Sequence, residues 1–130
     1  MRHRLTQRAD DDLKHLLQET LRAFGPRQVR IYAALIDRAI GLIADEPERP
    51  SSKDRSDLVA GVRSFHIALA SDRKRSASHV LYFTIVDRVE FGSEVVILRV
   101  LHERMEPRPR LISERHPDDS CGNDPSSPEG

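Results

Sequence analysis

The run Val95-Val96-Ile97-Leu98-Arg99-Val100-Leu101 decides the architecture. It is almost wholly apolar, as an interior strand of a sheet reads. It is therefore predicted to be a central strand. Arg99 is the exception within it, because a charge in such a place costs free energy unless it is paired or faces a partner.

Working back from this strand, Asp87–Ser93 contains Gly92 and reads as a turn. Val80–Val86, rich in Val, Ile, Tyr and Phe, reads as a second strand. The polar stretch Ser71-Asp72-Arg73-Lys74-Arg75-Ser76 precedes it and is either a solvated hairpin tip or a contact for an acidic surface. Val62–Leu69 alternates as a third strand, with Phe65, Ile67 and Leu69 on one face and Val62, Ser64, His66 and Ala68 on the other. Consecutive strands with short connections favour an antiparallel meander.

Two helices come before the meander. Leu13, Leu16, Leu17, Leu21 and Phe24 recur at spacings of three and four from a start at Ala9, with Asp10, Asp11 and Asp12 at the positive end of the helix dipole. Gly25-Pro26 closes this helix and opens the next. Tyr32, Leu35, Ile36, Ala39, Ile40 and Ile43 form the second stripe, which ends near Asp45 before Pro47. So short a turn makes the pair an antiparallel hairpin, and its stripes need a sheet face to cover. Residues 46–57 read as a polar loop, and Arg4-Leu5-Thr6 as a short strand joining the sheet. The predicted class is α+β: an N-terminal strand and a helical hairpin on a mainly antiparallel sheet of about four strands.

From Pro107 the chain holds five prolines and many Ser, Asp and Gly, so residues 1–106 are predicted to form the domain and 107–130 a disordered tail. Basic and acidic residues balance at 21 each over the 130 residues; before Pro107 the count is 18 against 16. That excess is too small for a protein held to nucleic acid by bulk charge. The lone cysteine, Cys121, excludes an internal disulfide and Cys-based zinc sites, and the six histidines show no metal spacing. No cofactor or metal is expected. No apolar run is long enough to span a membrane and no signal core follows the basic N-terminus, so a cytoplasmic location is expected.

Chemistry could reside in Arg63, His66, His79, Arg99 and His102, on or beside the strands. Either they are solvated residues paired with nearby acids, or they bind phosphate and perform acid–base cleavage.

Four stretches resemble the RelE/ParE superfamily, and its ParE branch in particular. They are Arg4-Leu5-Thr6-Gln7-Arg8-Ala9-Asp10-Asp11-Asp12-Leu13, Gly61-Val62-Arg63-Ser64-Phe65-His66-Ile67, His79-Val80-Leu81-Tyr82-Phe83, and Val96-Ile97-Leu98-Arg99-Val100-Leu101-His102-Glu103-Arg104-Met105-Glu106. The last is the most specific. The resemblance implies a RelE/ParE-like fold and a type II toxin–antitoxin toxin. RelE-type members cut mRNA on the ribosome with an Arg near the place where His79 stands here, a preceding Lys cluster and a C-terminal Tyr or Arg. In this chain Ser64 and His66 come with no Lys, and the end reads Leu101-His102-Glu103-Arg104. The incomplete set favours the ParE type, whose characterised members inhibit DNA gyrase without being nucleases.

The resemblance thus implies a growth inhibitor that binds protein and has no catalytic residues. Its expected partners are DNA gyrase and a cognate ParD-like antitoxin, in a toxin homodimer or a heterotetramer with the antitoxin. Arg63, His66, Arg99, His102 and Arg104 are the expected target or antitoxin contacts. No direct sequence-specific nucleic-acid binding and no membrane association are expected. The alternatives are a ribosome-dependent mRNA endonuclease using Arg99 with His66 or His102, and a degenerate member without toxicity.

Overall fold

The structure, a computed structural model, describes residues 1–71, 77–88, 90 and 92–112. The elements run β1 (Arg2–Leu5), α1 (Gln7–Phe24), α2 (Pro26–Asp45), β2 (Lys53–Asp54), β3 (Arg63–His66), a 3-10 turn (Ile67–Ala70), β4 (His79–Arg88), β5 (Gly92–His102) and α3 (Pro107–Ile112).

Thr6 begins α1. Its hydroxyl accepts the Ala9 N–H at 3.1 Å and donates to the Leu98 carbonyl at 2.8 Å. One side chain therefore caps the helix and satisfies the neighbouring strand. Gly25, at φ 90°, ends α1, and Pro26 opens α2. The positive φ is one that glycine adopts without steric cost. Leu16 and the α2 stripe of Tyr32, Ile36, Ala39, Ile40 and Ile43 are buried, with Leu13 and Leu17 packed beside them. The expected α1 stripe ends one turn early: Leu21 and Phe24 are exposed.

The sheet order is β1-β5-β4-β3-β2. β1 runs parallel to β5 and the remaining pairs are antiparallel. Lys53–Asp54, inside the expected polar loop, adds a short edge strand paired with Ser64 and Arg63. The helical hairpin covers one face, over Phe65, Leu81, Phe83, Val95, Ile97 and Val100. Val62, Tyr82, Val96, Leu98 and Leu101 form a second cluster on the other face. In β5 a bulge separates the pairs Tyr82–Arg99 and Phe83–Ile97. The extra residue shifts the alternation by one, so Val95, Ile97 and Val100 all face the helices.

Two expectations are corrected. The strand predicted over 62–69 is a strand only at Arg63–His66. His66 Nδ1 accepts the Ala68 N–H at 3.2 Å and turns the chain into the 3-10 segment. Its three-residue period buries Ile67 and Ala70 and leaves Leu69 exposed. Order also does not stop at Glu106. Pro107–Ile112 is helical, because Leu111 is 0% exposed and completes the second cluster. Arg108 ties this helix down by donating to the Leu58 and Asp57 carbonyls at 3.3 and 3.1 Å. The expected hairpin tip Arg73-Lys74-Arg75, and Cys121 with the rest of the expected tail from Ser113, lie outside the described residues.

Candidate partner-docking site

β1 pairs with β5 only as far as Ile97. Beyond that point α1 lies beside β5 in place of a strand. Asp12 accepts from Arg99 Nε at 2.7 Å and Nη2 at 2.9 Å, and from the Val100 N–H at 3.0 Å. The partners are mostly buried, with side chains 14% and 16% exposed. The pairing fixes the distance between α1 and the end of β5. Past it the helix diverges and leaves a groove of about 470 Å³, lined chiefly by Leu16, Thr20, Phe24, His79, Val100 and His102, with Met105 and Arg110 at the rim. An adjoining hollow of about 350 Å³ shares Leu16, Thr20, Phe24 and both histidines, and reaches Tyr32.

The groove floor is polar at one end. His79 and His102 are cross-strand neighbours whose rings meet edge-on with centroids 5.2 Å apart. Tyr32 Oη and His79 Nδ1 are hydrogen-bonded at 3.2 Å. Burial, then the neighbouring His102, pushes the His79 imidazole down to about 4, so it is neutral at pH 7. Burial also raises the Tyr32 hydroxyl above its ordinary value. His102 Nδ1 accepts the Arg104 N–H at 3.1 Å, which places the proton of its neutral ring on Nε2. At the end of β3 the Ala68 N–H occupies His66 Nδ1, so Nε2 is the nitrogen that donates to Glu103 Oε1 at 2.7 Å. That hydrogen bond holds the Glu103 carboxyl below its usual range.

Of the residues expected to contact a partner, Arg99 and His102 line the groove. His66 lies next to them through Glu103, the residue after His102. Arg104 is exposed in the turn after β5. Arg63 is elsewhere: it donates to Ser52 Oγ at 2.8 Å and to the Ser52 carbonyl at 3.3 Å, clamping the loop before β2. Arg99, whose placement in an apolar strand called for a partner, finds it 87 residues away in Asp12. Sequence reasoning missed Asp12, Leu16, Phe24 and Tyr32 as groove residues, because Asp12 reads as a helix-dipole acid and the other three as core stripe. Among the described residues no group of three or more His, Cys, Asp or Glu could hold a metal ion. Among them, too, no helix is long and apolar enough to cross a membrane.

A helical hairpin on one face of a mixed sheet, with its N-terminal strand parallel to the C-terminal one, is the RelE/ParE-like arrangement. A solved structure described as a chromosomal ParDE TA system from P. aeruginosa superimposes with a TM-score of 0.59 at 20% identity, covering 78% of this chain and 95% of that one. The family model for the ParE toxin of the type II toxin–antitoxin system parDE matches residues 4–107. Toxin ParE1 of Caulobacter vibrioides (strain ATCC 19089 / CIP 103742 / CB 15) is 31% identical over 109 residues, spanning 84% of this chain and 96% of that protein. The chain belongs to the ParE toxin family of type II toxin–antitoxin systems.

Proposed function

We propose that this chain arrests growth by binding a protein target, DNA gyrase, and that a cognate ParD-like antitoxin neutralises it by laying its C-terminal segment into the groove beside β5. The observation that carries the reading is the groove. It is mostly apolar and runs along a strand that has no strand neighbour past Ile97 on that side among the described residues. Such a place receives an amphipathic or extended segment that folds on binding, with apolar side chains filling the space beside Leu16 and Phe24. Two of the groove's basic side chains are not free cations: Arg99 is held by Asp12 and His79 is neutral at pH 7. This suits protein contact better than tight binding of phosphate.

A second reading, a ribosome-dependent mRNA endonuclease, draws on the adjacency of Tyr32, His79 and His102, which could move a proton. Induction of the full chain in cells separates the two. The protein-binding reading expects filamentation and a DNA-damage response with message intact at early times. Early mRNA cleavage without DNA damage would establish the nuclease instead. Co-expression of the antitoxin should restore growth.

A further inference from the structure

We propose that the tip of the helical hairpin, and not the groove floor, docks the target, and that it takes a protein surface that is acidic around an apolar centre. This rests on the protein-binding reading above.

Leu21, Phe24 and Ile31 are exposed within the last turn of α1 and the first two turns of α2. Arg22, Arg27 and Arg30 stand among them, and from Thr20 to Ile36 there is no acidic residue. Arg22 is paired with Glu19. Arg27 and Arg30 are exposed and have no acidic partner among the described residues. Arg27 also occupies the first turn of α2, which contains no acid. Backbone dipoles there favour negative charge and disfavour a cation. The position works against the helix's own stability, so helix formation does not explain the arginine. An acidic partner would offset that repulsion and give these cations their counterions. Large exposed apolar side chains interleaved with them along the chain favour a protein over a bare polyanion, since phosphate has nothing to bury against Leu21, Phe24 and Ile31.

The tip also meets the groove. Phe24 is 74% exposed and lines both hollows. An antitoxin segment in the groove would cover Phe24 and take it from the target. Neutralisation would then be competition for one aromatic side chain shared by two surfaces.

The test compares Arg27→Glu/Arg30→Glu and Phe24→Ser with wild type, all as the full chain, for growth arrest on induction, affinity for the cognate antitoxin and thermal stability. The charge reversal should weaken growth arrest by about tenfold or more. It should leave antitoxin affinity within about threefold and slightly raise Tm. Phe24→Ser should weaken both functions. Full toxicity of the charge-reversed chain overturns the proposal. An equal loss of antitoxin affinity overturns it too, by assigning the tip to the antitoxin. So does salt-sensitive binding of wild type to duplex DNA or phosphatidylserine vesicles that the charge reversal abolishes. A wild-type chain that fails to arrest growth overturns the toxin reading itself, and this assignment with it.

Discussion

Asp12 on α1 holds Arg99 on β5 in a two-pronged ion pair, and the same carboxylate takes the Val100 N–H. The pair stands where β1 ends, so it joins the helical hairpin to β5 on the side where no strand pairs with it past Ile97 among the described residues. The groove opens beyond this pair, on the side of β5 that β1 no longer covers.

Removing Asp12 takes a two-pronged carboxylate away from a mostly buried guanidinium and the acceptor away from the Val100 N–H. Asp12→Ala should cost about 3–5 kcal/mol, read from urea denaturation. Arg99→Leu should cost less, since it leaves a carboxylate that still accepts from Val100. The double variant should be clearly more stable than the sum of the single losses predicts, which a double-mutant cycle measures.

The His79 imidazole titrates near 4 in the fold against an ordinary value of 6.5. The folded state therefore disfavours the charged ring, and the unfolded chain takes up the proton first as pH falls. The stabilisation is fully present above about pH 6.5 and is lost progressively down to about pH 4, a change on the order of 2 kcal/mol after allowing for partial solvent access. His79→Gln should flatten that part of the stability–pH curve. An unchanged slope in the variant would show that His79 is not the group responsible.

Leu111 should matter as a core residue although it lies beyond the domain limit read from sequence. Leu111→Ala should cost about 2–4 kcal/mol. Hydrogen exchange should quicken in the β5 segment around Leu98 and Leu101, which share its cluster. Arg108→Ala should do the same more weakly, since its bonds are exposed.

The helical hairpin was legible because its two apolar stripes repeat at helical spacing and Gly25-Pro26 marks the turn. β4 and β5 were legible because β-branched and aromatic residues crowd into them. The bulge was not. Within Val95–Val100 both pleat faces are apolar, so the run carries no phase for a one-residue slip to disturb. The end of β3 was misread for a related reason: Ile67 and Leu69 continue the alternation, while the capping bond from Ala68 to His66 depends on geometry. In the site, the sequence marks Arg99 as needing a partner without showing that Asp12 supplies it. Tyr32 reaches His79 across 47 residues, a distance over which spacing carries no information. Leu111 was hidden by the prolines around it, which suggest disorder although a first-turn proline suits a helix.

The central claim is that this protein acts by docking on a protein. The most direct test mixes the purified full chain with purified DNA gyrase and relaxed plasmid, beside a parallel reaction with translating ribosomes and message. The account predicts loss of supercoiling or trapped cleaved plasmid, reversed by the antitoxin, with message intact. Undisturbed gyrase together with message cut on the ribosome, and cutting abolished by His102→Ala or His79→Gln in a folded variant, would contradict it.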